Sequence, residues 1–153
     1  MNEQVRAEHD PSAVIDRLVE ATNAHDLEGL VACFDDAYVN ETPAHPQRGF
    51  RGSEQVRRNW TQIYASVPDI RARVLQTAVD GATIWTEWEM SGTRRDEGPF
   101  LMRGVVIFGV AKTTVISARF YIEPVEDAGG DVNAAVGRVT GSASAGATPE
   151  VKS

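Results

Sequence analysis

The chain has 153 residues, 42% of them hydrophobic, a formal net charge of −7 and a single cysteine. That length suits one domain with a sizeable core, and the acidic balance, with no run of Lys or Arg, argues against a nucleic-acid partner. The lone Cys33 excludes an internal disulfide and fits a reducing compartment; it reads as a small core filler rather than a reactive thiol.

No stretch approaches the ~20 apolar residues of a membrane span. The start, Met1 to Asp10, is charged and has no apolar h-region, so it does not read as a secretory signal. The expected location is cytoplasmic.

Residues 1–10 are expected to form a flexible arm. Asp10 and Pro11 start a helix, since Asp can cap and Pro fits the first turn. Val14, Ile15, Leu18, Val19 and Thr22 then recur at helical spacing up to about Asn23. Asn23 to Asp26 is a turn, with His25 in solvent. Asp26 caps a second, short helix with Leu27, Leu30, Val31 and Phe34 on one face. Asp35 and Asp36 end it, and Tyr38 to Thr42 is a short strand stopped by Pro43. Residues 43–52 carry two prolines and two glycines and read as a loop. A third helix spans Ser53 to about Ser66, with Ser53 as N-cap and Pro68 as its stop.

Asp69 to Val79 reads as a strand, and Asp80–Gly81 as a hairpin signal. Three strands follow, from Ala82 to Ser91, Phe100 to Gly109 and Thr114 to Glu123. They are rich in β-branched and aromatic residues and are punctuated by Gly92, Gly98, Pro99 and Pro124. Residues 126–153 are poor in apolar side chains and read as a disordered tail. The expected fold is α+β, with three helices on one face of a curved, mainly antiparallel sheet over residues 11–125. A space between such layers is the default small-molecule site.

Asn23 to Asp26, Phe34 to Asp36, Tyr38 to Pro43, Arg51–Gly52, Thr86 to Trp88 and Ala118 to Glu123 carry a resemblance. Over roughly residues 11–125 the chain resembles the nuclear transport factor 2-like superfamily and, within it, SnoaL-like proteins. The resemblance implies a cone-shaped fold with an internal cavity. It also implies kinship with ketosteroid isomerases, polyketide cyclases, limonene-epoxide-type hydrolases and non-catalytic binding or dimerising modules, among which fold alone does not choose.

The isomerases' tyrosine and two carboxylates carry over onto Leu18, Thr42 and a position near Gly104, none of which keeps the chemistry. Glu41, beside Thr42, is turned to the opposite face by strand alternation unless a bulge brings it inward. The hydrolases' water-holding pair matches Tyr38 and Asn40, whereas their acid/base relay falls on Trp88, Met90 and Phe120. The cyclases' aspartate also falls near Phe120.

These carry-overs assign faces. Ile84, Thr86, Trp88, Met90, Phe100, Met102, Val106, Phe108, Ala118, Phe120 and Ile122 share the pocket face, joined by Tyr38, Asn40, Thr42, Trp60 and Tyr64. The alternative is that they are plain core with no cavity. The other face carries Trp85, Val105, Ile107 and Tyr121 beside Glu87, Glu89, Arg103, Arg119 and Glu123. Ion pairs of Glu87 with Arg103 or Arg119 are expected there, next to an apolar patch that suits a homodimer interface.

The candidate catalytic residues are therefore Tyr38 and Asn40, orienting water or a polar group, with Glu41 or His45 for proton transfer. His45 is included because its unperturbed titration lies near neutrality. Thr42, Trp60, Tyr64, Thr86, Trp88, Met90, Met102 and Phe120 are the candidate ligand contacts. No His, Cys or acidic group has metal-ligand spacing, and no metal or cofactor is expected. The reading is binding, with possible conversion of cyclase, isomerase or hydrolase type, of a small hydrophobic metabolite. The alternative is a non-catalytic binding or dimerising module.

Overall fold

The computed structural model describes residues 10–142. The first nine residues of the arm expected over 1–10, and the last part of the expected tail, 143–153, lie outside the described residues. The elements are helix α1 (Ala13–Ala24), helix α2 (Leu27–Ala32), strand β1 (Phe34–Glu41), a 3-10 turn (Pro46–Arg48) and strand β2 (Phe50–Arg51). Helix α3 (Ser53–Ser66), strands β3 (Arg71–Asp80), β4 (Thr83–Thr93), β5 (Pro99–Ala111) and β6 (Thr114–Pro124), and helix α4 (Val132–Thr140) complete the chain.

Helix α1 forms where the apolar residues recur on one side: Val14, Ile15, Leu18, Ala21 and Thr22 are all buried. Asp10 works from two positions ahead of the cap residue Ser12, accepting both its N–H (2.9 Å) and its hydroxyl (2.8 Å). His25 ends the helix in the left-handed region at φ 54°, a place more often taken by glycine. It is not the free turn residue that composition suggests: its Nε2 lies 3.0 Å from the Ile70 carbonyl and its ring stacks on Tyr64 at 4.6 Å. Asp26 caps α2 as expected, its carboxylate accepting the Gly29 N–H.

Phe34 to Asp36 belongs to a strand rather than to the end of α2. The Val115 N–H bonds the Cys33 carbonyl at 2.8 Å, and Phe34 pairs with Val115, so the backbone is already in the sheet there. A register shift between Phe34 and Val39 absorbs the intervening residues. Cys33 itself is buried, and burial pushes its thiol up. The expected loop at 43–52 is more ordered than its glycines and prolines suggest, because Val39 pairs with Arg51 and Asn40 with Phe50 in an antiparallel ladder. Gly52, at φ 91°, takes the N-cap position expected of Ser53, which is instead the first helical residue of α3.

The six strands run in the order β2-β1-β6-β5-β4-β3. From β3 to β6 every pairing is antiparallel, and β1 lies parallel to β6. The sheet is curved, and the helices cover one face. Val14, Ile15 and Leu18 of α1, Leu30 and Val31 of α2 and Val56 of α3 form one core with Ile84, Trp88, Val106, Phe108, Val115 and Ala118. Each fully buried Val, Leu or Ile there contributes about 1.5–3 kcal/mol. At the β3 edge the Asn23 side chain behaves like one more strand, donating to the Ala72 carbonyl (2.8 Å) and accepting its N–H (2.7 Å). Among the described residues no helix is long and apolar enough to cross a membrane.

Helix α4 falls inside the stretch expected to stay disordered. It forms for local reasons. The Asp131 carboxylate accepts the Ala134 N–H at the N-terminus, and Gly141 ends the helix at φ 79°. Val132, Val136 and Val139 remain exposed, so it owes little to burial.

On the outer face of the sheet the ion pairs differ in detail from the expected ones. Glu89, not Glu87, is the acid at the centre: Arg73 and Arg103 bind its two oxygens at 3.0 and 2.9 Å. Those two guanidinium hydrogen bonds hold its carboxyl below the usual range. Glu87 accepts from Gln76, and Arg119 lies 3.9 Å from Glu41.

Candidate functional site

Alternation along β1 sends Tyr38, Asn40 and Thr42 to the helix-covered side of the sheet. Across from them, α3 presents Val56, Asn59, Trp60 and Ile63, at the i, i+3, i+4, i+7 spacing of one helical face. Met90 of β4, Phe100 and Met102 of β5, and Phe120 and Ile122 of β6 form the sheet wall; Phe34, Phe50, Ile70 and Arg48 complete the lining. The cavity opens to solvent and has a volume of about 310 Å³. A cavity of roughly 150 Å³ accommodates benzene, so this one has room for a bicyclic skeleton. A narrower space of about 50 Å³ lies further in, between Leu18, Thr22, Trp88, Val106 and Phe108, and shares Phe34, Trp60, Met90 and Phe120 with the main cavity.

The polar groups gather around β1. The Tyr38 hydroxyl donates to Asn40 Oδ1 at 2.8 Å. Its ring is 1% exposed and meets Phe34 and Phe50 edge-on. Burial pushes the phenol well above its ordinary value, so Tyr38 stays neutral and cannot serve as a base. With Asn40 Oδ1 occupied, the Asn40 amide N–H groups have no partner among the described residues. Asn59 repeats the arrangement, its Oδ1 accepting from Gln55 at 2.8 Å. Thr42 follows the last residue of β1, and Arg48 ends the 3-10 turn that leads into β2; both line the cavity.

Seven of the expected site residues therefore share the cavity: Tyr38, Asn40, Thr42, Trp60, Met90, Met102 and Phe120. Trp88 lies at its narrow end, with Nε1 donating to Thr86 Oγ1 at 2.7 Å. Thr86 is buried beneath, its hydroxyl given to the Val106 carbonyl, and is not a lining residue. Tyr64 turns its hydroxyl to the Thr22 carbonyl at 3.1 Å, and burial followed by the Asp26 charge pushes it up to about 12. Neither of the two proposed proton-transfer groups reaches the cavity. Glu41 points to the outer face beside Arg119 because no bulge follows Val39 in its pairing with β6. His45 pairs with Glu123 at 2.8 Å outside the lining.

Arg48 and Asn59 were not singled out from the sequence. Asn59 had a signal, since it sits three residues after Val56 and one before Trp60. Arg48 had one only if Phe50–Arg51 is recognised as a strand. Among the described residues no group of three or more His, Cys, Asp or Glu could hold a metal ion.

Helices folded over a curved, mostly antiparallel sheet with a cavity between the layers define the nuclear transport factor 2-like fold. The sequence pattern of the SnoaL-like domain matches residues 15–118, and the chain belongs to that family. Among solved structures it is similar to wild-type IdmH of Streptomyces antibioticus, described as a candidate polyketide cyclase. The identity is 24% with a TM-score of 0.66, over 75% of this chain and 93% of that one. An LEH-like epoxide hydrolase of Mycobacterium tuberculosis matches at 16% identity and TM-score 0.64, over 74% and 82% of the two chains. RV0760c of Mycobacterium tuberculosis, solved in complex with estradiol-17beta-hemisuccinate, matches at 20% and 0.63, over 72% and 92%. A search of curated proteins finds no match.

Proposed function

We propose that this protein binds a small hydrophobic metabolite of one or two rings that carries a polar oxygen. The observation that supports this most is the 310 Å³ cavity, walled by aromatic and aliphatic side chains with a few polar groups from β1, the 3-10 turn and α3. The fold is one in which a relative, RV0760c, holds a steroid ester. No Asp, Glu or His is among the lining residues, so binding is favoured over general acid/base conversion.

A second reading, turnover of the bound molecule by cyclase-, isomerase- or hydrolase-type chemistry, rests on the Tyr38–Asn40 pair, which is placed to orient a water or a carbonyl. Native mass spectrometry of the purified protein, followed by calorimetric titration with mono- and bicyclic ketones, lactones and acids, tests the first reading. Micromolar binding is expected, with loss of at least tenfold in Met90→Trp, which fills the middle of the cavity. Undiminished binding by that variant would place the ligand elsewhere and overturn the proposal. Conversion of a bound compound that disappears in both Tyr38→Phe and Asn40→Ala would establish turnover.

The outer sheet face is the proposed homodimer surface. Trp85 and Tyr121 are 48% and 41% exposed, Val105 and Ile107 are half-buried, and acids and bases alternate around them. Light scattering is expected to give a dimer mass for the parent chain and a monomer mass for Ile107→Glu. A monomeric parent would remove this reading.

A further inference from the structure

We infer that the cavity takes its ligand as a carboxylate, with Arg48 and the amide N–H groups of Asn40 and Asn59 receiving the anionic end; this rests on the binding reading above. The inference comes from a census of the lining. Both amide oxygens are already occupied, Asn40 Oδ1 by the Tyr38 hydroxyl and Asn59 Oδ1 by the Gln55 amide. The amide N–H groups, unpartnered among the described residues, are the atoms these two residues most readily offer a ligand. Arg48 is the charged residue of the lining, and no acid is among the lining residues; the nearest acid, Glu123 of β6, lies outside the lining.

The chain between the two strands places three of these groups on one cavity. Asn40 pairs with Phe50, and Thr42, which follows β1, and Arg48, which ends the 3-10 turn before β2, line the same cavity. Asn59 comes from α3 on the other side of the cavity. Arg48 is solvent-accessible and makes no close ion pair among the described residues. Its Nη1 lies 4.0 Å from Glu123 Oε1, beyond hydrogen-bonding distance, and that oxygen is held at 2.8 Å by His45. A guanidinium fork accepts a carboxylate through two parallel N–H bonds. A ligand amine, by contrast, would meet the Arg48 charge and no lining carboxylate. The chemical class is thus a compact apolar acid, its rings against Phe120, Met90 and Trp60 and its carboxylate towards the Thr42–Arg48 end.

Three isosteric probes test this at pH 7.5: 2-naphthoate, methyl 2-naphthoate and 2-naphthylmethylammonium. Titrated by calorimetry into the full chain, the acid is expected to bind at least tenfold more tightly than the ester, about 1.4 kcal/mol, and the ammonium most weakly. In Arg48→Gln the acid/ester ratio falls to within about threefold, the acid losing far more affinity than the ester. Arg51→Gln, an exposed neighbour outside the lining, keeps the parent ratio. The preference also shrinks as salt rises, because Arg48 stands at the mouth. Equal affinity for acid and ester in the parent chain, or an unchanged ratio in Arg48→Gln, overturns the carboxylate assignment and leaves the binding reading standing. Failure of all three probes to bind also overturns it, and the native mass spectrum then decides the binding reading separately.

Discussion

Trp88→Ala is expected to lower the stability of this protein by about 3–5 kcal/mol, read as a shift of the urea midpoint at constant slope. The indole is 3% exposed and tilts against Phe108 at 6.2 Å. Its N–H ends a short chain of hydrogen bonds in which Trp88 donates to Thr86 and Thr86 donates to the Val106 carbonyl. Removing the indole leaves no buried donor stranded, because Thr86 keeps its own bond. The cost is therefore lost apolar transfer plus the void. That loss is a large share of the ~5–15 kcal/mol that holds a domain together. The void also has a functional consequence. It joins the narrow 50 Å³ space to the main cavity, since the two share Phe34, Trp60, Met90 and Phe120. The variant should admit a tricyclic ligand that the parent excludes, and Trp88→Phe, which keeps a ring there, should not. A loss below about 1 kcal/mol would show that the ring is not embedded as described.

Gly104→Ala is the second large effect. Gly104 sits in β5, in the middle of the sheet, opposite Trp88 on one side and Ile122 on the other. Its φ is 154°, and a Cβ there would lie 2.2 Å from the Tyr121 carbonyl oxygen and 2.6 Å from Ile122 Cα. Both obstacles are backbone of the adjacent strand, so relief requires moving β6 itself. Local strain costs about 1–3 kcal/mol, and displacing the ladder adds to it, so a loss of roughly 3 kcal/mol or more is expected. Gly81 is the internal comparison: it has φ 60° but nothing within 4 Å of a Cβ. Gly81→Ala should cost only about 1 kcal/mol. Equal losses at the two sites would show that the close approach at 104 is not what matters. The same geometry bears on function, because the carboxylate of the isomerases carries over to the neighbourhood of this residue. At Gly104 itself a Cβ would crowd the backbone of β6, which accounts for glycine there in place of an acid.

Much of the layout was legible along the chain because it depends on local periodicity. Helix α3 spans Ser53–Ser66 as its apolar spacing predicts, and β4, β5 and β6 extend only one or two residues beyond the expected strands. The division of those strands into two faces also follows from alternation, which is why Trp88, Met90, Met102 and Phe120 all face the helices. Errors arose where the outcome depended on which strand lies beside which. Glu89 rather than Glu87 is the central acid because pairing sets Arg73 and Arg103 opposite it. Glu41 meets Arg119 because β1 runs parallel to β6, a neighbour 78 positions away in sequence at Glu41–Arg119. In α4, Asp131 and Gly141 were visible capping signals, but composition pointed to disorder and the local signals prevailed.

The amino-acid sequence by itself determined the α+β class, the two-faced sheet and the apolar character of the cavity wall, because these follow from periods of 3.6 and 2 residues. Only the tertiary structure decided the polar end. It turned Glu41 outward, tied His45 to Glu123, buried Thr86 beneath the wall and brought Arg48 and Asn59 to the cavity from two separate elements. The physical reason is that a hydrogen-bond donor acquires a role from what lies across from it. Strand order, register and helix placement set that neighbour, and no local pattern encodes it.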